Sequence, residues 1–360
     1  MPNLIMHQRF QQQAVRLRHA IERPGSGRIV FLIGPTGAGK TTMRHTVMRS
    51  VVGSPEHWGT GKIPVVEVLA MLPNGAYFSS RALVESLLRE LFVPDLGWLC
   101  PPGDVESPAL RQIREEIAES RVRWQECPHP QISERRSWEA LLTMPQHRSL
   151  QWIIIDQAAA LCTNHRDTDP ADHILNLMSV AEKANINILL SGVQSAAALW
   201  AERPEIRRRS DIIWVPPYSY LRKEDRDPFL QLLRTLGSKY KYSKRTLLFD
   251  MAADLVAASA GIFGILQKIL EDASIKATCA GHDQITKSDV EDSFYGARDM
   301  AKLHQDVAEF EQVMKAGSTK EQAAVIAERW NLPKAQLKVV VRNDAPIELE
   351  PVAASGGEGA

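Results

Sequence analysis

The chain has 360 residues, enough for a substantial core and two domains. Its 43 Lys and Arg balance 43 Asp and Glu, which excludes a global charge pull toward nucleic acid, so any such contact must come from a local patch. The four scattered cysteines (Cys100, Cys127, Cys162, Cys279) form no CxxC pair, and no apolar run reaches the length of a membrane span, so the expectation is a cytoplasmic protein without membrane, disulfide framework or zinc site.

Residues 7–22 predict a helix with Phe10, Val15, Leu17 and Ile21 among polar residues, too polar for a secretory signal. Pro24-Gly25-Ser26-Gly27 reads as a turn, and Ile29-Val30-Phe31-Leu32-Ile33 as a buried parallel strand. Gly34-Pro35-Thr36-Gly37-Ala38-Gly39-Lys40-Thr41 then forms a complete phosphate-binding loop, with a helix expected from Thr41 to Arg49. Its glycines let successive N–H groups turn toward phosphates, and the helix N-terminus adds positive potential. Lys40 is expected on the β/γ oxygens, with Thr42 in the same nucleotide-binding set, and Thr41 on Mg²⁺.

Ile63–Leu69 reads as a second strand, and Arg81–Phe92 as an amphipathic helix. Residues 93–110 read as a loop, followed by helices at Leu110–Trp124 and Glu134–Met144 on either side of Pro128-His129-Pro130. Leu150–Asp156 is an apolar strand, Asp172–Ala184 a helix, Ile186–Val193 a buried strand and Ile212–Val215 a short one. Helices are expected at 223–236, 246–259, 262–279 and 286–303. Alternating strands and helices argue for a parallel α/β sheet. The expected domains are 1–217 (α/β, nucleotide-binding), 218–303 (helical lid), 304–342 (an extension with a helix near 305–330 and a Val-rich segment, Leu337–Val341) and 343–360 (a disordered tail).

Trp152-Ile153-Ile154-Ile155-Asp156 resembles a Walker B strand, whose terminal Asp156 would sit beside the phosphate loop and hold Mg²⁺. Gln157 stands where ATPases of the AAA+ kind carry Glu; it orients a water but takes no proton, so turnover is expected to be slow, either by nature or because a Glu has been replaced to trap ATP. Ser191, with Gln194 second, is the candidate for a polar sensor of the γ-phosphate, the other reading being an ordinary strand end. The run Arg207-Arg208-Arg209 is either a solvated face or the source of an arginine finger for a neighbouring subunit, with Arg208 and Arg209 the candidates. Lys268 is the candidate second sensor in the lid.

These residues together resemble the AAA+ transposition regulators of the TnsC/TniB type, relatives of the phage Mu B protein and the IstB helper ATPases. The likeness runs over most of residues 5–300 and takes in His7-Gln8-Arg9-Phe10, Ile63-Pro64-Val65-Val66-Glu67-Val68, the hinge Pro216-Pro217-Tyr218, the Gly-rich start of a lid helix and Gln284-Ile285-Thr286-Lys287-Ser288-Asp289-Val290. The resemblance implies an AAA+ P-loop NTPase fold, α/β with a small C-terminal helical lid, and ATP with Mg²⁺ as cofactors. It implies a homo-oligomer, ring or helical filament, on double-stranded DNA. Such an assembly marks a target, recruits or activates a transposase, and in some relatives receives its site from a target-selection protein or RNA-guided complex. Family members contact DNA from the segment after the second strand, here about residues 73–81, where Arg81 is the only cation.

Independently of the resemblance, residues 203–245 carry 12 Lys/Arg against 5 Asp/Glu, and Lys239-Tyr240-Lys241-Tyr242-Ser243-Lys244-Arg245 interleaves aromatics with cations. Lys239 and Lys241 could touch phosphates there, or the segment is a basic loop on the lid surface. Competing readings are an initiator- or loader-like AAA+ ATPase, a STAND-type switch and a small-molecule kinase. The chain has no repeat-rich sensor domain for a switch and no acceptor-site signature for a kinase.

Overall fold

The computed structural model describes residues 7–70, 77–99, 107–126, 133–163, 169–201, 203–220 and 222–315, together with 339–340 and 348–349. In chain order the first half runs α1 (Gln8–Glu22), β1 (Ile29–Ile33), α2 (Lys40–Val52), β2 (Val65–Leu69), α3 (Ser80–Phe92), α4 (Pro108–Glu126), α5 (Glu134–Arg148), β3 (Trp152–Asp156), α6 (Pro170–Ala184), β4 (Asn187–Gly192), α7 (Pro204–Arg209) and β5 (Ser210–Trp214). The second half runs α8 (Lys223–Gly237), α9 (Leu247–Asp250), α10 (Ala252–Ser259), α11 (Phe263–Cys279), α12 (Lys287–Glu291), α13 (Ala297–Lys315), β6 (Val339–Val340) and β7 (Glu348–Leu349).

Five parallel strands form one sheet in the order β2-β3-β4-β1-β5. Because all run the same way, the ends of β1 (Ile33), β2 (Leu69), β3 (Asp156), β4 (Gly192) and β5 (Trp214) share one edge. Strand alternation divides the apolar residues between two layers. Ile29, Phe31, Ile33, Ile153, Ile155, Ile188 and Leu190 face α3, α5 and α6, while Val30, Leu32, Trp152, Ile154 and Leu189 face α1 and α2. The sheet is therefore covered on both sides, which explains its nearly unbroken apolar runs. A separate core, built from Phe229, Leu233, Leu255, Ile269, Leu270 and their neighbours, organises the lid helices.

The structure redraws three expected helical boundaries. The helix expected at 246–259 breaks at Met251 into α9 and α10. The helix expected at 286–303 is two: Thr286 caps α12 in a reciprocal capping box with Asp289, and a new helix starts at Ala297. That helix, α13, runs straight through the boundary expected at 303/304. Its Phe310 is fully buried in the α/β core, edge-on to Trp214 at 5.8 Å, while His304 Nε2 bonds the Ala257 carbonyl of the lid at 2.8 Å. The helix expected at 305–330 is described only to Lys315. β6 lies in the expected Val-rich segment and pairs antiparallel with β7, which falls inside the stretch read as a tail; the rest of 343–360 lies outside the described residues.

Candidate functional site

The phosphate loop joins β1 to α2 at the carboxyl edge of the sheet, where the chain must turn sharply. Gly37 and Gly39 adopt φ of 83° and 86°, left-handed values that cost a side-chain-bearing residue strain. Pro35 and Ala38 are buried, whereas Thr36, Thr41 and Thr42 are exposed. Lys40 Nζ donates to the carbonyls of Gly34 (2.8 Å) and Pro35 (2.9 Å), so its ammonium lies inside the loop. Burial, opposed by Asp156 and reinforced by Arg44, pushes Lys40 down to about 8.

Asp156 ends β3 as expected, on the same edge as the loop. Its Oδ1 accepts the Gln157 amide at 2.9 Å, and its Oδ2 pairs with the Arg44 guanidinium at 2.8 Å. Burial pushes the Asp156 carboxyl up, but Arg44, the Gln157 amide and the Ser191 hydroxyl outweigh it and hold it below its ordinary value. Gln157 is exposed and left-handed (φ 57°), and it opens a short 3₁₀ turn, Ala158–Cys162. Ser191 is fully buried on β4, where its hydroxyl accepts from Arg44 Nη1 at 3.2 Å; Gln194 starts the next 3₁₀ turn, half-buried.

Arg44 is the site residue that sequence reasoning missed. It sits one turn after Lys40 and is 1% exposed, yet it bonds Glu67 on β2, Asp156 on β3 and Ser191 on β4. His45 Nε2 holds the other oxygen of Glu67 at 2.8 Å and stacks on Trp98. Burial pushes the Glu67 carboxyl up, but His45 and Arg44 outweigh it and hold it down. The available signal was Glu67 itself, an acid in the middle of the apolar strand Val-Val-Glu-Val-Leu, which requires a buried cationic partner.

The lid closes over the same edge. The Gly264 N–H, at the start of α11, donates to the Gly37 carbonyl at 2.9 Å, and a Cβ on Gly264 would stand 2.7 Å from that oxygen. This approach is possible only for glycine. Beside it a small cavity is lined by His7, Phe10, Ala38, Tyr218, Ile262 and Phe263, that is, by the start of α1, the loop, the hinge and the lid. His7 Nδ1 accepts the Phe10 amide (3.3 Å) and pairs with the Tyr218 hydroxyl (2.7 Å), and its ring lies 5.0 Å from that of Phe263. Burial and then Arg9 push His7 down to about 4, so it is neutral at pH 7.

The remaining candidates lie elsewhere. Lys268 is exposed on α11, with its ammonium over the Tyr295 ring at 5.5 Å. Arg208 and Arg209 end α7 where β5 begins, at the edge of the sheet opposite the loop, so neither faces this chain's own phosphate site. Arg209 pairs with Glu182; Arg208 is exposed and has no ion pair among the described residues. Arg81 is exposed and pairs with Glu85 at 2.8 Å, while residues 73–76 before it lie outside the described residues. In the basic lid segment, Tyr240 and Tyr242 are partly buried against the lid core, and Tyr242 bridges Ile285. The aromatics anchor the segment to the lid core. Lys239, Lys241, Lys244 and Arg245 stand exposed, without ion pairs among the described residues.

Among the described residues no cluster of three or more His, Cys, Asp or Glu could hold a metal alone, and no single helix is long and apolar enough to cross a membrane. No curated protein matches the chain in sequence. Among solved structures it is similar to Cdc6p from Pyrobaculum aerophilum (14% identity, TM-score 0.51, covering 91% of this chain and 87% of that one). It is also similar to the ORC2 protein of Aeropyrum pernix in its ADP form (12% identity, TM-score 0.50, covering 81% and 69%). Residues 22–199 match the family model described as an AAA domain. Over residues 22–199 the chain is thus similar to an AAA domain, and it has the AAA+ P-loop fold, a five-stranded parallel α/β base followed by a helical lid.

Proposed function

We propose that the chain is an ATP-switched AAA+ regulator of DNA transposition. It assembles on double-stranded DNA as a ring or filament, marks a target site and recruits a transposase to it. The observation that carries the switch is the hydrogen bond from Gly264 to Gly37: the lid rests directly on the phosphate loop, so a change in the loop's occupant is felt by the lid. Gly34–Thr41 would hold the ATP phosphates, and Lys40, whose ammonium now bonds two loop carbonyls, would supply positive charge to their oxygens. The Thr41 hydroxyl and the Asp156 carboxylate are hard oxygen donors that would hold Mg²⁺, which would offset the phosphate charge. Hydrolysis is slow because Gln157 cannot accept a proton.

Assembly brings a second protomer's arginine to the site. Arg208 supplies it, being exposed, uncommitted among the described residues and turned away from its own loop. DNA phosphates meet the exposed cations Lys239 and Lys241, together with Arg81. The transposition role and its partners, a transposase and a target-selection protein or RNA-guided complex, rest on the sequence resemblance. A second reading, an initiator- or loader-like AAA+ ATPase, is favoured by the fold likeness to Cdc6p over 91% of this chain.

Electron microscopy with double-stranded DNA separates these readings. Rings or filaments with ATP and none with ADP, growing with DNA length, support the transposition regulator. A particle of fixed size whatever the DNA length supports the initiator-like reading. Small particles under both nucleotides sink the assembly proposal.

A further inference from the structure

Arg44 has no part in the scheme above, yet it is the most deeply placed charge in the site. Lys40 and Arg44 are four residues apart on α2 and so share one helix face. Lys40 points back into the loop, while Arg44 points into the sheet edge, where two carboxylates on neighbouring strands receive it. Its Nε is buried without a hydrogen-bond partner, so the guanidinium is held by its two terminal nitrogens. Glu67 is in turn fixed by His45, so the stack His45–Glu67–Arg44–Asp156 is a row of alternating groups ending at the carboxylate expected to face Mg²⁺.

A cation shared between two acids divides its field between them, and in a buried setting that division matters more than it would in water. Asp156 therefore already has a counter-ion before any metal arrives. We propose that Arg44 is a positioning residue that competes with Mg²⁺ for Asp156, with Glu67 setting how firmly Arg44 holds on. This rests on the nucleotide reading of the phosphate loop. It follows that ATP binds appreciably without metal, because Asp156 is neutralised internally and does not repel the phosphates. It also follows that Mg²⁺ loads in a separate step, as Arg44 shifts its weight from Asp156 to Glu67.

The test is the binding of a fluorescent methylanthraniloyl derivative of ATP to the full chain, in EDTA and across a MgCl₂ titration. Wild type should bind in EDTA. Arg44→Met should lose binding in EDTA and need roughly five- to tenfold less Mg²⁺ for half-maximal binding. Glu67→Gln, which leaves Arg44 compensated by Asp156, should need roughly five- to tenfold more. The two shifts have opposite signs, which a general loosening of the site would not produce. In the Arg44→Met background Glu67→Gln should lose most of its effect, since Glu67 acts through Arg44. If Arg44→Met fails to fold, Glu67→Gln alone decides: an unchanged or lowered Mg²⁺ requirement overturns the proposal. Shifts of the same sign, or an undiminished Glu67→Gln effect in the double variant, also overturn it. Wild type that binds ATP only with Mg²⁺ refutes the internal counter-ion while leaving the nucleotide site intact. Wild type that binds no ATP under any condition refutes both.

Discussion

His7 is an imidazole placed where charge would be costly: it is walled in by Phe10, Tyr218 and Phe263, with the Arg9 cation two residues on. The unfolded chain takes up its proton near the ordinary value, the folded chain only near 4. The folded state is thus fully favoured above about pH 6.5 and loses that advantage as the pH falls toward 4, by ~3 kcal/mol for the full shift. In His7→Phe this contribution disappears. Urea midpoints measured from pH 7 to pH 4 should fall less steeply for the variant than for wild type, whatever its absolute stability. Equal slopes would show that His7 charges without cost. Arg9 beside it acts differently. It pairs with the buried carboxylate of Asp225, donates to the Pro216 carbonyl at 3.3 Å and lies over the Tyr218 ring, while Asp225 also accepts the Ser219 amide at 3.0 Å. One guanidinium thereby fixes the start of α1, the hinge and the start of α8 to each other.

At the scale of elements, α13 is the informative one. It leaves the lid, bonds α10 through His304, pairs Glu311 with Arg222 at 3.0 Å and inserts Phe310 among Trp214 and the core of the base. Phe310→Ala should cost about 3–5 kcal/mol, seen as a lower urea midpoint by Trp fluorescence. A change under 1 kcal/mol would mean that the base does not depend on this helix. Helical residues were expected on both sides of 303/304, as the end of a helix at 286–303 and the start of one near 305–330, but neither the single helix Ala297–Lys315 nor its destination was foreseen, because Phe310 is a single aromatic on a charged helix and nothing local says which core receives it. The same distinction governs the site. Gly34–Thr41 and Asp156 were legible because each is a contiguous pattern whose geometry is set by its own backbone. Arg44 was not, since an arginine in the second turn of a helix is ordinarily solvated, and its burial is decided by Glu67 and Asp156 on strands far along the chain. Likewise the order of residues 239–245 showed aromatics interleaved with cations, but not that Tyr240 and Tyr242 pack on the lid core while Lys239 and Lys241 stay exposed.

On the scale of the whole molecule, a neutral chain binds DNA only through local charge repeated by assembly. Lys239 and Lys241 are exposed on a segment whose backbone is fixed by Ile285 N–H on the Lys241 carbonyl (2.8 Å) and Ser243 N–H on the Ile285 carbonyl (3.0 Å). Replacing both lysines by Ala should weaken double-stranded DNA binding equally for all sequences and lower the slope of log affinity against log salt by about 2 per protomer. Fluorescence anisotropy at several salt concentrations reads this directly; an unchanged slope would remove these residues from the contact. The pattern of strands and helices was enough to foresee the parallel base and the helical lid, and the resemblance named the hinge between them, whereas the return of the chain to the base was not foreseen. The chain crosses from base to lid at Pro216-Pro217-Tyr218, and α13 brings it back to the base at Phe310. A body held at one point can turn about any axis, but one held at two keeps a single rotation, about the line between them. If the lid shifts against the base as the proposed switch requires, these two chain attachments guide it toward a single rotation, as two hinges guide a door.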